Sequence, residues 1–175
     1  MKPTLLSSEI IHENPWYRVR HDRLEWSKGA QGNYYVVQFN GTSGVICIRE
    51  NEILLVEQYR YTIDRLSIEI PMGGIKPGQT PLEAAQNELQ EETGYHSGAF
   101  TQIGELAILI GAAQNKLHVF VAQDVVPGES SREVSEEGMR TFWLPLTQWR
   151  QLIRENKIID AETLAAWALY EAQRA

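Results

Sequence analysis

Between residues 4 and 70 the apolar positions fall in short runs that suit strands. Tyr17, Val19, His21 and Leu24 alternate loosely with polar neighbours. Residues 34–39 and 44–48 are aromatic or β-branched, and residues 53–56 form an apolar run continuing into Glu57-Gln58-Tyr59-Arg60. Turn-forming stretches separate these runs: Lys28-Gly29-Ala30-Gln31-Gly32, Asn40-Gly41 and Glu50-Asn51-Glu52. Residues 71–79 are rich in glycine and proline and predict a loop. A helix follows, with Thr80 as N-cap, Pro81 in the first turn and Glu83 completing a capping box. Ala84, Ala85 and Leu89 continue it, and Gly94 is placed to end it in a left-handed conformation. Strands are predicted again over residues 100–110, 116–123 and 140–144, with a polar loop over residues 125–135. Two helices close the chain. One starts near Thr147 and carries Trp149, Leu152 and Ile153; the other is capped by Asp160 and carries Leu164, Trp167 and Leu169. No internal repeat or low-complexity tract interrupts the pattern, which predicts a mixed α/β fold with helices laid on a strand-rich body.

Length adds that 175 residues are one domain's worth, enough for a single sizeable core. A formal net charge of -7 argues against nucleic acid or an anionic membrane as the main partner, because both need a basic footprint. Cys47 is the single cysteine, so no intrachain disulfide forms; within Val45-Ile46-Cys47-Ile48 it reads as a small buried hydrophobe. A cytoplasmic location fits that cysteine usage. The N-terminal apolar run is too short for a signal peptide, and no segment approaches the length of a membrane span.

Candidate chemistry concentrates in Asn87-Glu88-Leu89-Gln90-Glu91-Glu92-Thr93-Gly94. At helical pitch Glu88 and Glu92 lie about 40° apart and Glu91 about 60° from Glu88, so three carboxylates share a face. Like charges at this spacing repel, and negative charge near a helix C-terminus opposes the dipole. No Lys or Arg within the helix compensates. A bound divalent cation would resolve the conflict, and carboxylate oxygens suit Mg²⁺ or Mn²⁺. A solvated acidic face is the other reading of the same spacing.

Residues 73–95, GGIKPGQTPLEAAQNELQEETGY, resemble the Nudix box, a loop–helix–loop motif of 23 residues. Gly73, Glu88, Leu89, Glu91, Glu92, Gly94 and Tyr95 fall on motif positions, whereas Gln79 stands at the early glutamate and Asn87 at the arginine. The resemblance implies a Nudix α/β/α sandwich with a mixed central sheet and an N-terminal antiparallel strand region. It implies metal-assisted attack of water on a nucleoside diphosphate linked to another group. Glu88 and Glu92 would hold Mg²⁺ or Mn²⁺, with the carbonyl of Met72 as a backbone ligand and Glu91 as a further ligand or a helper to the water. A bound cation would also let a negatively charged protein hold a diphosphate.

Glu57-Gln58-Tyr59-Arg60 and Glu69-Ile70-Pro71 look like the ADP-ribose pyrophosphatase and sugar-nucleotide branch. By that resemblance Arg60 would contact the substrate's phosphates, its alternative being a surface strand position. Trp16, with Tyr34 or Tyr35, would clamp the base across a homodimer interface; core or interface packing is the alternative. In the loop before the last strand Glu137 would act as base on the water or as a metal ligand, with Glu136 and Glu133 the next candidates, against a plain acidic loop. Ile110-Gly111 stands where this branch usually carries Pro-Gly. His12, His21, His96 and His118 show no ligand spacing and read as structural.

The expected whole is a single domain over residues 1–175, with strands of residues 1–40 in dimerisation and a catalytic core over residues 41–175. The expected activity is hydrolysis of ADP-ribose or a related nucleoside diphosphate sugar to a nucleoside monophosphate and a sugar phosphate. The partner is then a small nucleotide, with no nucleic acid and no membrane. A ligand-binding sensor of the same fold, with little hydrolysis, is the alternative that Gln79 and Asn87 motivate.

Overall fold

The protein was studied as a computed structural model that describes residues 2–174. In chain order the elements are β1 (Thr4–Glu13), β2 (Arg18–Glu25), β3 (Gln31–Gln38), β4 (Thr42–Arg49), β5 (Glu52–Arg60), β6 (Arg65–Glu69) and β7 (Met72–Gly74). There follow α1 (Pro81–Thr93), β8 (Tyr95–His96), β9 (Ala99–Ala107), β10 (Ala113–Gln114), β11 (Lys116–Gln123) and β12 (Val126–Pro127). The last are β13 (Arg140–Pro145), α2 (Leu146–Arg154) and α3 (Ala161–Ala172).

The chain forms two compact units. One comprises the described residues up to Gly41 together with Ala107–Lys116; the other is Thr42–Leu106 with the described residues from Leu117 on. The segment 107–116 joins the first unit because β10 pairs in parallel with β3 and Val37 N–H donates to the Ala112 carbonyl at 2.9 Å. The first unit is an antiparallel β1-β2-β3 sheet with β10 at its edge. All ten residues of β1 are exposed.

The second unit is built on a mixed sheet in the order β13-β5-β4-β11-β9, with β6 paired to β5 and β7 to β4. β4 and β11 run parallel, while β4–β5, β5–β13 and β4–β7 are antiparallel. β4 is buried through five consecutive residues, as a strand covered on both faces must be. Val45 and Cys47 pack with Leu54, Ala85, Leu89 and Phe120, on the α1 side. Ile46 points the other way by strand alternation, and α3 also packs on β4. Burial pushes the Cys47 thiol up to about 12, so it stays a neutral packing residue.

Several expectations shift. The predicted strand over residues 100–110 stops at Ala107, since Leu109 takes a left-handed backbone (φ 52) and its carbonyl accepts both the Ala112 and Ala113 N–H groups, each at 2.9 Å. Within the predicted loop over residues 71–79, Met72–Gly74 pairs with β4. Among the described residues no helix is long and apolar enough to cross a membrane.

Candidate active site

α1 begins as its local signals dictate. Thr80 Oγ1 accepts from Glu83 N–H at 3.2 Å, and the Glu83 carboxylate accepts from Thr80 N–H at 2.8 Å. Gly94 ends the helix at φ 76, its N–H donating to the Gln90 carbonyl at 2.9 Å. The buried side of α1 carries Ala84, Ala85 and Leu89, but also Glu88 and Glu92, which are 9% and 2% exposed.

A tightly tethered strand lies across these carboxylates. Ile70 N–H donates to Thr163 Oγ1 at 3.1 Å, the Pro71 carbonyl accepts from Val45 N–H at 2.9 Å, and Met72 N–H donates to Glu92 Oε2 at 3.1 Å. Gly73 sits where a Cβ would overlap the Glu88 carboxylate. The glycine that opens the box motif is therefore the clearance that lets Glu88 lie against the backbone.

A third carboxylate arrives from the loop between β12 and β13. One ligand oxygen each from Glu88, Glu92 and Glu136 lie within 4.8 Å of one another. Glu136 closes a short 3-10 turn, Val134–Glu136, and accepts from Glu133 N–H at 2.8 Å. Burial pushes the Glu88 carboxyl up to about 7, with Glu91 adding to the effect and Lys76 opposing it. Glu92 is held well above the usual carboxylate range, chiefly by burial and next by Glu88. Three acceptor groups this close, two of them nearly dry, fit a hard divalent cation with oxygen ligands, which would favour their charged forms.

A cleft of about 470 Å³ opens in front of Met72 and Gly73. Arg60, Ser67 and Glu69 line one part of it, and Asp160, Ala161 and Glu162 at the start of α3 another. Arg60 forks the Glu69 carboxylate, with Nε at 2.9 Å from Oε1 and Nη2 in contact with Oε2. Glu69 is 3% exposed, so this guanidinium neutralises a buried charge while facing the cleft.

The remaining expected residues fall elsewhere. Glu91 is half-buried, with Lys76 Nζ 3.8 Å from it and 3.7 Å from Glu133. Glu137 follows the 3-10 turn as its cap and is exposed; the group formed with Glu88 and Glu92 contains Glu136 and not Glu137. Gln79, at the place of the early box glutamate, closes the loop locally: its Oε1 accepts from Lys76 N–H and its N–H donates to the Lys76 carbonyl, both at 3.0 Å. Asn87 is exposed. In the N-terminal unit Trp16 is 76% exposed in the β1–β2 turn, where Asn14 Oδ1 accepts from the N–H groups of Trp16 and Tyr17, each at 2.9 Å. Tyr34 donates from its hydroxyl to the Gly111 carbonyl at 2.6 Å, and Tyr35 stacks on His21 at 4.8 Å. Sequence reasoning named Asp160 only as a helix cap and did not name Glu162; the cleft wall they form depends on α3 reaching β6 and β7, which no local signal states.

Comparison with known proteins returns the NUDIX domain over residues 39–167 and the nucleoside diphosphate sugar hydrolase N-terminal domain over residues 4–37. A methanol dehydrogenase activator of Bacillus methanolicus is 30% identical over 97% of this chain and 93% of its own length. An ADP-ribose pyrophosphatase of Bacillus subtilis is 30% identical over 82% of this chain and 78% of its own. A solved structure described as an ADP compounds hydrolase superposes with a TM-score of 0.86 at 25% identity, covering 99% of this chain and 94% of that one.

Proposed function

The chain belongs to the Nudix family, and on that footing we propose that it hydrolyses the diphosphate linkage of ADP-ribose or a related nucleoside diphosphate sugar, with a divalent metal. Water adds across the linkage to give a nucleoside monophosphate and a sugar phosphate. The observation that carries this reading is the gathering of Glu88, Glu92 and Glu136 immediately behind Met72 and Gly73, at the wall of the Arg60 cleft. The names of the relatives, ADP-ribose pyrophosphatase and ADP compounds hydrolase among them, point the same way.

In this reading Glu88, Glu92 and Glu136 hold Mg²⁺ or Mn²⁺, with the Met72 carbonyl as a further ligand. The bound cation would supply charge neutralisation at the phosphoryl oxygens and a more acidic water. Glu136, rather than Glu137, is the loop carboxylate that joins Glu88 and Glu92, and Glu91 serves as the helper to the water. Arg60 steadies the diphosphate from the cleft wall, already oriented by Glu69. Trp16, with Tyr34 or Tyr35, would clamp the base across a homodimer interface, since stacking on an aromatic ring is worth about 1–3 kcal/mol. The exposed apolar residues of β1, Leu5, Leu6, Ile10 and Ile11, support a homodimer through residues 1–40, because large apolar side chains on an exposed strand gain from being covered.

Incubation with Mg²⁺ and a panel of ADP-ribose, GDP-mannose, NADH, diadenosine polyphosphates and nucleoside triphosphates tests the reading. Release of phosphomonoesters from a nucleoside diphosphate sugar, abolished by chelator, is the expected result. A thermal shift from a panel member without cleavage of any would replace it with a ligand-binding sensor.

A further inference from the structure

One guanidinium fastens the loop that carries Glu136. Arg132 Nε donates to the Glu92 carbonyl at 2.9 Å, Nη1 to the Met139 carbonyl at 2.6 Å and Nη2 to Thr141 Oγ1 at 2.8 Å. Thr141 Oγ1 donates to the same Glu92 carbonyl at 3.2 Å. Beside it Ser131 N–H donates to the Glu91 carbonyl at 3.0 Å and Gly128 N–H to the Gly94 carbonyl at 2.6 Å. The carbonyls of Glu91 and Glu92 belong to the last turn of α1, where no partner exists within the helix. That end also carries the negative pole of the helix and two carboxylates, and the last turn holds no basic residue. Arg132 brings to it the positive charge that Asn87, standing at the box arginine, does not.

We infer that Arg132 is a positioning residue that latches residues 128–139 onto the C-terminal end of α1 and thereby sets the Glu136 carboxylate beside Glu88 and Glu92. The inference rests on the proposed cation site formed by those three carboxylates. The three acceptors are met by three different nitrogens of one rigid fork, whereas an ammonium gathers its donors on a single nitrogen at the end of a flexible stem. The two anchored ends, Ser131–Arg132 and Met139–Thr141, bracket the 3-10 turn of Glu136, so its place is fixed from both sides.

Mn²⁺ binding, measured by calorimetry on the full chain, reads this role without turnover. The proteins are wild type, Arg132→Ala, Arg132→Lys, Glu136→Gln and the Arg132→Ala/Glu136→Gln double variant. Arg132→Ala and Arg132→Lys are expected to weaken Mn²⁺ about as much as Glu136→Gln, roughly 10-fold or more, as loss of a supporting group does at metal sites. The double variant is expected to bind no more weakly than Glu136→Gln, because a latch has nothing to place once its carboxylate is gone. Wild-type affinity in Arg132→Ala or Arg132→Lys overturns the inference, and so do losses that multiply in the double variant. If Arg132→Ala fails to fold, Arg132→Lys and Thr141→Val carry the same cycle. A wild type that binds no Mn²⁺ brings down the cation site and the latch together; one that binds Mn²⁺ yet cleaves no panel substrate brings down only the proposed activity.

Discussion

The Glu88 carboxylate lies directly over Gly73, in the space a Cβ would occupy. Gly73→Ala must therefore push aside either β7 or Glu88. β7 is held by pairing to β4 and by the Met72–Glu92 bond, so the carboxylate is the part that moves. The expected result is a loss of turnover of about 10–100-fold, the usual penalty for disturbing a metal ligand's surroundings. Overpacking costs about 1–3 kcal/mol in stability as well. Turnover within twofold of wild type would show that Glu88 does not need this place.

The loop glutamates separate cleanly by substitution. Glu136 joins Glu88 and Glu92, whereas Glu137 is exposed after the turn. Glu136→Gln is expected to lower kcat by about 10²–10⁴, at least the loss seen on removing a group that acts on the reacting proton. Glu137→Gln should stay within a few-fold. The reverse ranking in steady-state kinetics would return the role to Glu137.

Much of this was readable from local signals. Thr80, Pro81, Glu83 and Gly94 announce both ends of α1, and Asp160 announces the start of α3, where its carboxylate accepts from Thr163 N–H at 2.6 Å. The acidic face of α1 was visible at helical spacing, but its burial was not, because burial comes from β7 crossing it. The choice between Glu136 and Glu137 was equally hidden. It depends on the phase of a three-residue turn that lies between residues bonded to distant partners, as Arg132 is to the Glu92 carbonyl 40 residues back. Short strands such as β7 and β10 also escaped, since three or two residues carry no periodicity and exist only through their partners. The cleft wall from Asp160 to Glu162 depends on the same kind of distant packing.

Metal-free protein should lose stability as pH rises. Burial first, and Glu91 next, push the Glu88 carboxyl from 4.5 up to about 7. A carboxyl raised in the folded state favours folding fully below its unfolded value and loses that contribution as pH rises through the folded one. Between about pH 5 and pH 8, in chelator, the loss from Glu88 is on the order of 3 kcal/mol at most. Thermal unfolding of Glu88→Gln should lack this part of the decline. Mg²⁺ should stabilise wild type more at pH 8 than at pH 6, because the cation competes with protons for the same oxygens. Parallel melting curves of wild type and Glu88→Gln across that range would refute the account.

Arg60 is asked to serve both the fold and the substrate, and the two duties can be pulled apart. Its fork neutralises Glu69, which is 3% exposed, so Arg60→Ala leaves a nearly buried carboxylate without its partner. Removing one member of a buried pair costs about 3–5 kcal/mol. Arg60 is itself 40% exposed on its side chain, so solvent reaches the pair and the lower part of that range, or less, is expected. Adding Glu69→Gln removes the stranded charge and should return most of the lost melting temperature. It should not return substrate affinity, because the cation facing the cleft is still missing. The double variant is therefore expected to melt near wild type while its KM for a nucleoside diphosphate sugar stays raised about 10-fold or more, the equivalent of one lost charge-assisted hydrogen bond. Recovery of KM together with stability would mean that Arg60 touches the substrate only through the fold.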